Sequence, residues 1–209
     1  MCILLQLVDG ITKTVFTLVL SLASVSFGAH LAPIISPHFP SLSSPRRVVR
    51  YSLTVMSILT YAATIPAYFC LPAEFRHQAT AALLFSFPGT LTRYLLSIYL
   101  NPLMKTMPLG TFVANSLGTA LLGTFHVLQN TPTPVSPNTC AILQGLADGY
   151  CGCLTTVSTF AAEVGTLTEW KSWFYALFSW IAGQLLLLVI LGPSFWVGHV
   201  REQQTCSFA

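Results

Sequence analysis

Charge is nearly absent from this chain, and where it occurs it gathers into short clusters separated by long apolar runs. Uncharged stretches cover residues 14–45, 51–73, 77–92, 106–147, 149–162 and 172–200. The 209 residues carry nine Lys and Arg and six Asp and Glu, so 7% are charged; a soluble domain carries roughly a quarter. With 54% hydrophobic residues and a mean hydropathy of +0.70, the chain could not cover a water-facing surface. That excludes a soluble enzyme. The net charge of +3 is too small for a nucleic-acid-binding surface, so the solvent and first partner is membrane lipid. A crossing takes about 20 residues. The runs therefore accommodate six helices, over residues 12–32, 48–69, 78–100, 108–128, 138–163 and 171–191, with the Pro-rich stretch 131–137 as a loop. The fold class is all-α: a polytopic transmembrane helix bundle.

Individual helices differ in what they can face. The first carries Thr14, Thr17, Ser21, Ser24 and Gly28, small and hydroxyl residues that mark helix–helix surfaces in a membrane. The second is rich in aromatics and Leu and is the best suited to lipid. The third contains Pro88-Gly89 and Arg93. The sequence predicts an interruption at Pro88-Gly89, whose freed backbone groups need partners in the protein interior. The fourth carries Gly110, Asn115, Gly118 and Gly123; a membrane Asn must be hydrogen-bonded to protein or water.

The fifth segment holds the most unusual stretch, Gly149-Tyr-Cys-Gly-Cys-Leu-Thr-Thr-Val-Ser-Thr-Phe160, between Asp148 and Glu163. Two glycines and four hydroxyls in twelve residues suit a helix that unwinds in mid-membrane, where freed carbonyls and N–H groups can hold ions. In the sixth, Tyr175, Ser179 and Gly183 recur every four residues, and Trp170, Trp173, Trp180 and Trp196 form an aromatic-belt pattern.

Alternating six crossings places Arg46, Arg47, Arg50, Lys105 and Lys171 on one side and Lys13, Arg76 and Arg201 on the other. The positive-inside rule then puts the Arg46–Arg50 side in the cytoplasm and both termini outside. Cys2, Cys70, Cys140, Cys151, Cys153 and Cys206 follow neither zinc nor disulfide spacing. The histidines are scattered, and no H-E-x-x-H, G-x-S-x-G or P-loop pattern occurs, so the reading is a non-enzyme without an organic cofactor. The apolar residues 1–8 run almost straight into a helix, an abrupt start that gives the chain the look of a fragment.

Three blocks in order, Pro88-Gly-Thr-Leu-Thr-Arg-Tyr94, Gly110-Thr-Phe-Val-Ala-Asn115 and residues 149–163, resemble the small fluoride channels of the Fluc/CrcB family, and within it the two-domain fungal fluoride exporters. The third block is the specific one. The resemblance implies a four-helix unit paired with an inverted copy, with fluoride passing along pores between them. Residues 77–200 would be one complete unit, 46–76 a connector helix, 1–45 the last helix and loop of an incomplete first unit, and 201–209 a short polar tail.

Roles carried over by the resemblance are a pore asparagine at Asn115 and the second phenylalanine of a paired Phe box at Phe160, with Ser158 and Thr159 in the same motif. A hydroxyl track follows at Tyr175 and Ser179. Arg93, Gly89, Gly110 and Glu163 are structural or orienting positions. Gly152 and Thr155 are the positions whose backbone carbonyls hold a structural sodium ion at the unit–unit interface. Val157 departs from the first Phe-box position, Gly183 from the track and Cys153 from the usual glycine.

The implied activity is passive, fluoride-selective anion export across the plasma membrane, protecting the cell from fluoride, by a whole channel or half of one. The chemistry agrees: fluoride is strongly hydrated, its dehydration in hydrocarbon is very costly, and amide and hydroxyl donors can replace water. Two other readings stand beside it. One is a small proton-coupled secondary carrier using Asp148, Glu163 or His126, since intramembrane acids are functional candidates. The other is a non-conducting pseudo-channel half with an assembly role.

Overall fold

The computed structural model describes residues 2–38, 46–72, 81–104, 106–131 and 135–196. Arg76, Lys105, Arg201, His77, His199, Cys206 and the 201–209 tail of the domain division lie outside them.

Every regular element among the described residues is helical. Helix α1 spans Cys2–Ile35, α2 Arg47–Cys70, α3 Ala81–Leu100, α4 Leu109–Gln129 and α5 Pro137–Gly145. A π-helical turn, Leu146–Cys151, continues α5 into the single turn of α6, Gly152–Leu154; α7 is Val157–Thr166 and α8 Glu169–Trp196. Among the described residues, five helical stretches are long and apolar enough to cross a bilayer: Ile11–Ile35, Arg47–Cys70, Ala81–Leu103, Leu109–Gln129 and Glu169–Ser194. The segment expected over 138–163 is the divided one, built from α5, the π turn, α6 and α7.

Local chemistry sets several boundaries. Ser136 caps α5, its Oγ accepting from Thr139 N–H at 3.3 Å, with Pro137 at the first helical position where its missing N–H costs nothing. Asn101 Oδ1 accepts from Gly110 N–H at 2.7 Å and satisfies one orphan donor at the start of α4. The first helix begins earlier than expected, so Lys13 lies within it rather than at its end.

Pro88-Gly89 does not interrupt the third helix; α3 runs through the pair unbroken. Pro88 has no N–H for the Leu84 carbonyl, and Tyr61 from α2 supplies the missing donor, its OH lying 2.7 Å from Leu84 O. Gly89 serves close packing instead. A β-carbon there would collide with the Tyr150 carbonyl, and one at Gly149 with the Ala82 carbonyl. Two backbones thus approach without side chains between them, the usual membrane solution where hydrophobicity cannot drive association.

Helix α3 lies against the π turn and α6, α4 against α3 and α8, α7 against α8 and α1, and α2 against α3. The buried residues are mostly small, with Ala81, Ala114 and Ala161 fully enclosed, while α2 buries none. One expectation about cysteine needs correction: Cys140 is disulfide-bonded, while Cys70, Cys151 and Cys153 are free thiols.

Candidate ion pathway

The organising feature is a chain break between α6 and α7. Thr155 and Thr156 are extended, with φ/ψ of −77°/153° and −154°/126°, between residues in helical geometry. Gly152 is not part of the break; its φ of −62° and ψ of −35° are helical. Of the two break positions the resemblance implies, Gly152 and Thr155, the chain breaks at the second, where side chains replace the lost helical bonds. Thr155 Oγ1 and N–H both donate to the Cys151 carbonyl at 2.9 Å. Thr156 caps α7, its Oγ1 accepting from Thr159 N–H at 3.3 Å while meeting Thr159 Oγ1 at 3.2 Å and Ser158 Oγ at 3.3 Å. This places Thr159 and Ser158 at the mouth of the second half-helix, with Ser158 exposed.

Asn115 holds the break open from α4. Its Oδ1 accepts from Thr156 N–H at 2.8 Å and its Nδ2 donates to Thr156 O at 3.2 Å. The pairing fixes which end of the amide is oxygen, because Thr156 N–H can only donate. It also turns Thr156 N–H away from the Gly152 carbonyl, its partner in an uninterrupted helix. Gly118, one turn along α4, sits against the Thr155 methyl, where a β-carbon would not fit. The Asn115 amide is thus already engaged with the backbone, leaving one Nδ2 hydrogen for an ion.

On the other side of the break, α7 presents Phe160 to Tyr175 of α8, with ring centroids 4.9 Å apart. Tyr175 is fully buried. Its OH donates to Glu163 Oε2 at 3.1 Å, and Thr111 Oγ1 from α4 donates to Glu163 Oε1 at 2.7 Å. One carboxylate therefore joins α4, α7 and α8. Glu163 does not behave as an ordinary helix-end charge: hydroxyls from two other helices hold it.

Ser179, one turn beyond Tyr175, is the anomaly. Its Oγ is buried with no hydrogen-bond partner. Serine and threonine inside a helix ordinarily donate to the carbonyl four residues back, as Ser21, Ser24, Ser57, Thr60 and Thr124 do here at 2.8–2.9 Å. A buried hydroxyl that forgoes even that partner is a donor left for something else.

The remaining predicted residues are less concentrated. Gly110 marks the capped start of α4, and Gly89 the contact of α3 with Tyr150. Arg93, on α3, is half-buried and makes none of the hydrogen bonds at the break. Val157 opens α7 and is 45% exposed, while Gly183 faces open space. Asp148 and His126 belong to a different group from Glu163, at the far end of α4. Three residues of the site escape the sequence reading. Thr111 and Thr156 sit inside the family-like blocks, and threonine is a residue type favoured at helix N-caps. Tyr61 is signalled only indirectly, by the carbonyl that Pro88 must orphan.

Residues 80–194, more than half the chain, match the family described as CrcB-like protein, Camphor Resistance (CrcB). The chain belongs to the CrcB family. Among CrcB relatives, the Neurospora crassa protein called fluoride export protein 1 is 36% identical over 93% of this chain and 40% of its own length. The Candida albicans protein of the same name is 42% identical over 56% of the chain and 32% of its own length. The Salmonella arizonae fluoride-specific ion channel FluC is 33% identical over 52% of the chain and 84% of its own length. This CrcB chain thus spans about 40% of the N. crassa protein it resembles across most of its length. With its apolar helices, it is an integral membrane protein.

Proposed function

We propose that the chain forms part of a fluoride-selective passive channel, and that the anion passes the break between α6 and α7. The observation that carries this reading is the unpartnered buried hydroxyl of Ser179, one helical turn from the Tyr175 that packs on Phe160. Relatives named for fluoride export and for a fluoride-specific channel support the choice of ion.

Fluoride loses its water only if donors replace it one at a time. Ser179 Oγ–H is one such donor, the free Nδ2 hydrogen of Asn115 a second, and the hydroxyls of Ser158 and Thr159 extend the set. The ring edge of Phe160 carries positive quadrupole density and meets the anion without binding it too tightly. The run 149–162 holds no Lys or Arg, which keeps binding weak enough for release. Glu163 acts as a positioning residue, fixing the Tyr175 ring against Phe160.

The carbonyls of Gly152 and Thr155 fit an oxygen-ligated sodium ion. Asn115 diverts the helical donor of Gly152, and Thr159 N–H, the helical donor of Thr155, caps Thr156 instead. When bound, sodium would pin the break with positive charge and need an inverted four-helix unit to complete its ligand shell. Residues 77–200 are assigned to one such unit, 46–76 to a connector, and 1–45 to the end of the opposed unit. The membrane is the plasma membrane, with the Arg46–Arg50 end cytoplasmic and the termini outside.

The test is fluoride efflux from proteoliposomes, read with a fluoride electrode against chloride at equal pH on both sides, with the chain alone and beside its complementary unit. Fluoride-selective efflux that falls about tenfold or more in Ser179→Ala and in Phe160→Ile is the expected result. Folded protein that passes no fluoride with either composition, or only under a pH gradient abolished by Glu163→Gln, overturns the channel reading.

A further inference from the structure

Past the break, α4, α5, the π turn and α8 border an open cavity of about 430 Å³. Leu122, Leu187 and Leu191 supply its apolar lining, and His126, Gln129, Gln144 and Asp148 its polar residues. The polar groups are ordered in one direction. Gln129, nearly buried, donates Nε2–H to Gln144 Oε1 at 3.0 Å, and Gln144 donates Nε2–H to Asp148 Oδ2 at 2.8 Å. The two amides act in series to hold a carboxylate at the cavity wall, on a π turn, an irregularity that recurs at functional sites.

The cavity lies on the line of the proposed path. Leu122 and His126 follow Asn115 by seven and eleven positions, which at 100° per residue puts each about 20° from Asn115, on one face of α4. His126 is then about 16 Å along the helix from Asn115. On α8, Leu187 comes two turns after Ser179. Of the described lining residues, only Asp148 and His126 can carry charge.

We infer that this cavity is one mouth of the anion path and that the Asp148 carboxylate sets the electrostatic barrier an anion meets there. The inference rests on the channel reading above. In the proposed orientation this mouth is the outer one. A fixed negative charge there lowers the local fluoride concentration on the side from which the ion would return, and an apolar wall focuses that field.

Two measurements test it, one of which needs no conduction. In reconstituted protein, the cysteine of Leu187→Cys is modified by membrane-impermeant cationic and anionic methanethiosulfonates, counted above the parent chain's own thiols. The cationic reagent reacts roughly three- to tenfold faster at low ionic strength, and molar salt brings the ratio toward one. Adding Asp148→Asn removes the preference and Asp148→Glu keeps it. Unreactive thiol, or a ratio indifferent both to salt and to Asp148→Asn, overturns the inference even if no fluoride moves. In conducting liposomes, Asp148→Asn raises fluoride flux several-fold at low salt only. Unchanged flux in a conducting protein overturns the inference while leaving the channel reading intact.

Discussion

Asn115 holds the peptide of Thr156 by both edges, and this changes what its loss should do. A side chain that only lined a pore could be shortened with little cost to folding. Asn115→Ala instead leaves a peptide N–H and a peptide C=O unpaired inside the bundle, at about 1–3 kcal/mol for each buried group left unsatisfied. Thermal unfolding in detergent should show a clear destabilisation together with loss of fluoride efflux. A variant that melts like the parent and merely conducts less would mean the clamp contributes nothing to the fold. Ser179→Ala is the contrasting case. The Oγ has no partner to lose, so efflux should fall while stability stays within about 0.5 kcal/mol of the parent. Sequence placed Asn115 and Ser179 among the candidates, but nothing in either residue's surroundings along the chain says which one is structural as well as functional.

At the scale of elements, Pro88 and Tyr61 form a pair joined by a single carbonyl, that of Leu84. Tyr61→Phe should destabilise α2 against α3 by about 0.6–1.7 kcal/mol, the range found for hydrogen bonds between membrane helices. Pro88→Ala restores an N–H in α3 for Leu84, so Tyr61→Phe should then cost almost nothing. A double-mutant cycle reads this directly, and additive effects would show that Tyr61 does not serve the carbonyl freed by proline. The rod formed by α5, the π turn and α6 depends on small residues where it rides on α3. Gly149→Val, which drives a side chain into the Ala82 carbonyl, should separate the two. Faster hydrogen exchange at the Thr155 and Thr156 amides would be the signature, because the rod carries the break.

For the whole molecule, the described surface shows what the bundle leaves uncovered. Among the described residues, helix α2 buries nothing and α1 packs along α7. Apolar exposure of that extent fits lipid or a second unit. If the break also holds sodium between two opposed units, replacing sodium by a large organic cation should lower thermal stability in the paired protein. The carbonyls of Gly152 and Thr155 point to this effect. Equal stability in both salts, measured on the paired protein, would remove sodium from the account.

The helical class, the polar stretch that cannot be an ordinary lipid-facing helix and the family could all be read from the order of residues. Each depends on local composition: an apolar run long enough to span, or two glycines and four hydroxyls crowded into twelve positions. The break position was legible only approximately. Gly152 and Thr155 both read as break positions, yet Gly152 stays helical. Tertiary structure fixed the break at Thr155–Thr156, where Asn115, 41 residues away, can bind the exposed peptide. The same holds for the continuous α3, rescued by a tyrosine 23 residues upstream of Leu84, and for Glu163, drawn from a helix end into a three-helix junction. Sequence sets which groups a membrane will force to find partners. Only the packed helices decide which partners they find, because that depends on distances between segments far apart in the chain.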